Sequence, residues 1–236
     1  MHINLGPQGE TTDSTIEIRS NTIVGNSARD SRCDGTRDAS CGVGGGIEFL
    51  NARSAPQIVA NNVFRDNIAD RYAAANFDKV MLVFEDNLVL ANLSVWEHPG
   101  IGCVASSNTT TALCKIDSNR FIDNRFTENS FGTNLFNNSG AVNVRRNEGW
   151  ILNNLFVKNR GHFATVFIKH DDVPGNPLSR IEHNTFVNNE REKPWFGSLG
   201  MLGNASIRNN IFVGDWRAFR IDSADSNSTI SENNIT

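Results

Sequence analysis

One short phrase recurs along the chain: an apolar residue, two variable positions, an asparagine, a variable position, an apolar pair, a variable position, then Asn or Asp. It is legible in IRSNTIVGN from Ile18, IVANNVFRD from Ile58, FEDNLVLAN from Phe84 and IDSNRFIDN from Ile116. It returns in ILNNLFVKN from Ile151, IEHNTFVNN from Ile181 and IRNNIFVGD from Ile207, with a shorter copy, ISENNIT, from Ile230. The leading Asn falls at Asn21, Asn61, Asn87, Asn119, Asn154, Asn184, Asn210 and Asn233, at intervals of 23 to 40 residues. Repetition on this scale implies a solenoid, in which each unit buries its apolar side against its neighbours. Helical repeats do not fit, because the apolar residues do not recur at i, i+3, i+4 and i+7 for long enough. Leucine-rich repeats also carry an Asn ladder, but this chain holds only 13 Leu at irregular spacing. Short strands joined by turns of unequal length remain. An Asn between two strands takes a left-handed conformation at lower cost than most residues. Stacked at the strand spacing of about 4.8 Å, such side chains bond to one another along the axis. The Asn is therefore expected at a corner, and its apolar neighbours in a shared core.

On these repeats the sequence resembles the right-handed parallel β-helix proteins over nearly its whole length. The resemblance implies an all-β solenoid of about seven to eight coils forming a single domain over residues 1–236. It implies three strands per coil, with the tight Asn-bearing turn between the second and third. Loops such as SARDSRCDGTRDASCGVG and RFTENSFGTNLFNNS would then connect one coil to the next. Alternation places the remaining strand of each coil at 46–50, 75–79, 102–106, 141–145, 165–169, 200–203 and 219–223. Its inward residues would be Ile47, Phe49, Phe77, Val142, Val144, Val166, Ile168, Leu202, Phe219 and Ile221. Glu48, Asn76, Asn143, Phe167, Met201 and Arg220 would face out.

The net charge of -4 makes nucleic acid or an anionic membrane a poor partner. No segment is apolar for the ~18 residues that a membrane span requires. The start, MHINLGPQGE, lacks the basic and apolar regions of a signal peptide. Cys33 and Cys41, and Cys103 and Cys114, flank polar loop-like stretches, which suits two local disulfides in an oxidising compartment. Both ends stop in mid-coil without a capping helix, so the expectation is a segment of a longer extracellular protein, or end-to-end self-association. Glycosylation sequons begin at Asn92, Asn108, Asn137, Asn204, Asn227 and Asn234, about what chance gives for 32 Asn.

Two functional readings stay open. The first is a non-catalytic rod that displays loops for adhesion or glycan contact, with carbohydrate or a cell-surface protein as partner and no cofactor. Phe167, Met201 and Trp195 would supply an outer apolar strip for sugar rings. The second is a carbohydrate-active enzyme, first a uronate polysaccharide lyase, less a glycoside hydrolase or epimerase. FIKHDD offers Lys169 or His170 as base, Arg145 to hold a carboxylate, and Asp171 or Asp172 to orient the base or bind Ca²⁺. The same residues also read as a strand end entering a solvated turn. With Tyr72 the only tyrosine, a Tyr–His catalytic pair is not expected. Asp30, Asp34 and Asp38 could meet a Ca²⁺ ion, but Arg29, Arg32 and Arg37 between them favour local ion pairs. No metal site is expected outside the lyase reading.

Overall fold

The computed structural model describes residues 2–4, 15–29, 42–50, 55–105, 112–126, 139–169, 178–191, 197–214, 218–221 and 230–236. Their strands fall into four parallel sheets of eight, eight, seven and six strands, here A, B, C and D. The chain visits them in rotation. Ala75–Asp78 lies in A, Leu82–Glu85 in B, Leu88–Leu90 in C and Leu93–Glu97 in D, and the next coil begins again in A with Ile101–Val104. This is a parallel β-helix. A full coil carries four strands rather than the expected three, because a short segment after the second corner pairs as sheet D.

Register explains why the interior closes. In sheet A the inward row runs Phe49, Phe77, Cys103, Val144, Ile168 and Met201, each paired with the same position one coil on. Every member is fully buried. Met201 therefore points inward and Leu202 outward, the reverse of the alternation expected from GMLG; pairing with Ile168 sets the frame. On sheet C, Phe121, Phe156, Phe186 and Phe212 form a continuous stack with ring centroids 5.1, 4.7 and 4.7 Å apart. Each buried ring contributes on the order of 1.5–3 kcal/mol, and an identical residue above and below leaves no void.

The corners on either side of sheet C carry the polar counterpart of that stack. At the B–C corner the left-handed residue is Ser20, Asn61, Asp86, Ser118, Asn153, His183, Asn209 or Asn233, with φ of 52–58°. The ladder Asn is the residue after it: Asn21, Asn62, Asn87, Asn119, Asn154, Asn184, Asn210 and Asn234. So Asn61 and Asn233 are corrected to Asn62 and Asn234. Asn61 and Asn233 supply the left-handed turn and face solvent, while the amide of their successor turns inward. Asn154 shows the pattern. Its Oδ1 accepts from the Asn119 backbone N–H (2.9 Å) and from Asn119 Nδ2 (3.1 Å). Its Nδ2 donates to Asn184 Oδ1 (3.0 Å) and to the Ile116 carbonyl (2.9 Å). The buried Asn154 amide thus donates only to acceptors one coil away on either side.

A second ladder runs along the C–D corner through Asn26, Asn67, Asn92, Asn124, Asn159 and Asn189. The A–B corner is less uniform. It turns through Arg146 and Asn147 in one coil and Gly203 and Asn204 in another, but residues 105–112 separate the strands Ile101–Val104 and Leu113–Asp117. There the disulfide Cys103–Cys114, with Cα atoms 6.5 Å apart, ties the two strands together. Asn147 from the next coil lies over both sulfurs at 3.6 and 3.7 Å. Cys33 and Cys41 lie outside the described residues.

Candidate functional site

The outer face of sheet A has no such repetition. Its first outward row reads Glu48, Asn76, Gly102, Asn143, Phe167 and Gly200. The second reads Leu50, Asp78, Val104, Arg145, Lys169 and Leu202. Unlike neighbours cannot pair as a ladder does, and the face is hollowed into an open groove of about 410 Å³. Glu48, Asn76, Asp78, Tyr72, Arg71, Arg145 and Arg146 line it, with Val43, Leu50, Val104 and Ala105 as its apolar part.

Gly102 makes room for the wall. A Cβ at that position would fall on the Tyr72 ring, so the glycine is what lets the aromatic side chain reach the sheet. Tyr72 follows the strand Ile68–Arg71 and has a left-handed φ of 53°, which lifts its side chain out of the coil and across sheet A. His98 holds the matching place one coil on, with φ of 52°. Their rings stack at 4.9 Å and 14°. The sole tyrosine thus forms a ring stack with a histidine.

His98 is buried and neutral. Loss of solvation, then the nearby Arg71 and Arg145 guanidiniums, push its pKa down to about 3. The Ser139 backbone N–H donates to its Nδ1 at 3.0 Å, which leaves the ring proton on Nε2. Nε2 lies 3.2 Å from the amide end of Asn143, an end that also lies 3.4 Å from the Tyr72 hydroxyl. A proton on Nε2 calls for an acceptor there, so the amide oxygen of Asn143 takes that end. His98 therefore acts as a fixed prop for Tyr72 and Asn143. With both nitrogens engaged and its ring buried, it is not placed to exchange protons with a ligand.

Among the groove's side chains, Asn76 and Arg145 stand out. Asn76 is 6% exposed, and its Oδ1 has no hydrogen-bond partner among the described residues. Arg145 has a buried Nε that is likewise without one. An unsatisfied buried polar atom costs on the order of 1–3 kcal/mol, more for a charged group, and native folds keep few of them.

Of the residues singled out in the sequence, Arg145 and Lys169 do share a row on adjacent strands, but only Arg145 lines the groove. Phe167 faces out yet is fully buried beneath Phe163, Ala164 and Leu202, and Met201 belongs to the core. Neither presents an apolar strip, because the chain folds its own residues over Phe167 and the register turns Met201 inward. His170, Asp171, Asp172 and Trp195 lie outside the described residues, as do Asp30, Asp34 and Asp38. Among the described residues no group of three His, Cys, Asp or Glu is placed to hold a metal ion, and no helix is long and apolar enough to cross a membrane. Tyr72, His98, Asn76, Asp78, Arg71 and Arg146 were not expected in the site. Their one sequence signal was Tyr72 as the sole tyrosine.

The fold and the groove together define a parallel β-helix with one irregular outer face. Comparison of the chain with protein-family models, with curated proteins and with solved structures returns no match.

Proposed function

We propose that the chain is a non-catalytic, extracellular β-helical module whose sheet A groove makes contact with carbohydrate, free or carried on a cell-surface protein. The observation behind this reading is Asn76, an almost fully buried amide in an open groove with an acceptor that no described residue uses. Sugar hydroxyls donate to such acceptors. A half-buried tyrosine beside it supplies the apolar body and polar tip that suit a sugar ring. The disulfide fits an oxidising compartment. Binding of immobilised chain to an oligosaccharide array tests the reading. Saturable binding that falls at least tenfold in Asn76→Ala, with unchanged thermal stability and no product released, supports it; no binding to any glycan rejects it.

The lyase reading keeps one specific support, the grouping of Tyr72 with Arg145 in one groove. Tyr72 is the group that could take a proton from a uronate ring, with Arg145 against its carboxylate. Release of unsaturated uronides from pectins or alginates, lost in Tyr72→Phe, would put this reading first.

A further inference from the structure

We propose that the outer face of sheet C is a self-association surface, on which a second copy of this chain docks face to face with its axis antiparallel. The proposal is independent of the groove on sheet A. The outward row from Val24 to Val213 is aliphatic at every position but Arg65. The parallel row from Thr22 to Ile211 holds aliphatic residues or threonine everywhere but at Arg120. On sheet B, by contrast, the row from Arg19 to Glu232 carries a charge in six of its eight coils. Val24, Ile211 and Val213 are 37, 39 and 50% exposed, and the aliphatic residues between them are half-buried. In the first six coils two residues join each C strand to its neighbours in B and D, and the longer connections there run between A and B or between D and A. A continuous apolar strip of this kind on a solvent face marks an interaction surface.

The charges on and beside the strip select the partner. Arg120 is exposed and has no ion pair among the described residues, and the same holds for Asp86 and Lys158. Asp86 and Lys158 occupy left-handed corners that flank sheet C, one just before Leu88–Leu90 and the other just after Leu155–Val157. Consider a two-fold axis along the strands, midway between Leu88–Leu90 and Arg120–Ile122. It sets Arg120 over Leu88 of the second copy, with Asp86 of that copy at the rim beside it, and symmetry repeats the pair. The same operation lays Leu90 over Ile122 and brings Lys158 beside Asp66, which is bonded within its own chain to Arg65 at 3.0 Å. Docking would desolvate Arg120, and the facing carboxylate offsets that cost. Centring the axis on Arg120–Ile122 instead would put Arg120 against its own copy, which like charge disfavours. One register is therefore self-complementary. Six coils at about 4.8 Å, and five residues across at about 3.3 Å, give a patch of roughly 29 by 16 Å, towards the small end of specific interfaces. That size suits a reversible dimer rather than an obligate one.

Sedimentation equilibrium of the full chain from about 5 to 500 µM tests the proposal. The expected result is a monomer–dimer equilibrium without larger species. Arg120→Asp and Asp86→Arg each set like charges against one another across the two-fold, so each alone should weaken dimerisation at least tenfold. Mixed in equal amounts, the two single variants should recover it, because every cross-chain pair in the mixed dimer is then opposite in sign. Both positions are exposed, and Lys158 already holds a basic side chain at such a corner with φ of 51°, so the fold accepts the changes. Should either variant misfold, Leu90→Glu, which puts a carboxylate in the middle of the aliphatic rows, should abolish the dimer on its own. A chain that stays monomeric throughout overturns the proposal. So does a dimer that neither single variant weakens, a pair of variants that does not recover on mixing, or a dimer that survives Leu90→Glu. Species that keep growing beyond the dimer overturn it too, since a face-to-face two-fold closes at two copies.

Discussion

The B–C corner and the outer face of sheet A are drawn from the same coils and obey the same register, yet they keep opposite accounts of their polar groups. At the corner, one residue type repeats, and each amide is completed by the one above it. On the face, amide, acid, glycine and arginine follow one another, and Asn76 and Arg145 keep atoms that no described residue completes. In a stacked fold, likeness between coils is self-satisfying. Unlike residues leave a remainder, and the remainder is where a ligand can be read.

The contrast can be broken directly. Asn154→Ala removes two donors and an acceptor from the ladder and strands the Asn119 N–H and the Ile116 carbonyl, so it should cost about 3 kcal/mol in urea unfolding. Replacing both Cys103 and Cys114 by Ser should cost slightly less, about 2–3 kcal/mol, since the disulfide closes a short loop. If it costs nothing, the strands Ile101–Val104 and Leu113–Asp117 are held by their sheet pairing alone.

The His98 prop gives a prediction with a sign. Its folded pKa of about 3 lies below the unfolded value of 6.5, so the unfolded chain binds more protons between those limits. Stability from neutral His98 is complete above pH 6.5 and is lost as pH falls towards 3. By pH 5 the loss reaches about 2 kcal/mol. His98→Gln should flatten that part of the stability–pH curve relative to the unmodified chain. Asp117 and Glu182, whose carboxyls are also held low, act further into acid and are unchanged in the comparison. An unchanged slope in His98→Gln would show that its burial does not set its charge. The smallest loss belongs to the face itself: Asn76→Ala should cost no stability in urea unfolding, because the acceptor it removes has no partner among the described residues. A loss as large as that of Asn154→Ala would erase the distinction between the two regions.

Much of the fold was legible because a ladder must repeat to work. Six corner asparagines, the sheet A strands and most inward residues follow from the pattern alone. The two misplaced asparagines fall where the sequence writes two in a row, Asn61–Asn62 and Asn233–Asn234. In both coils the isoleucine that starts the phrase is one position out of register: Ile58 pairs with Val83 where Val59 pairs with the buried Phe84, and Ile230 pairs with Ser206 where Ser231 pairs with Ile207. The second ladder was also visible as a constant step of five residues, Asn87 to Asn92, Asn119 to Asn124 and Asn154 to Asn159. Its status as a ladder needed the sheet D pairing to be seen. The groove was not legible. Tyr72 and His98 are 26 residues apart and meet only because each sits at the same left-handed corner of successive coils. Gly102 matters through what lies over it, which no local pattern records.

The second ladder also bears on how the chain can be made. Asn92 opens a glycosylation sequon, yet its side chain is 1% exposed and bonded to Asn67, Asn124 and the Phe64 carbonyl. A glycan attached there during synthesis would block closure of that rung, so sugar and rung exclude each other. In a secretory host that modifies sequons as they emerge, coils on either side of Asn92 would be kept apart. Peptide mapping of the secreted, folded fraction should find Asn92 bare.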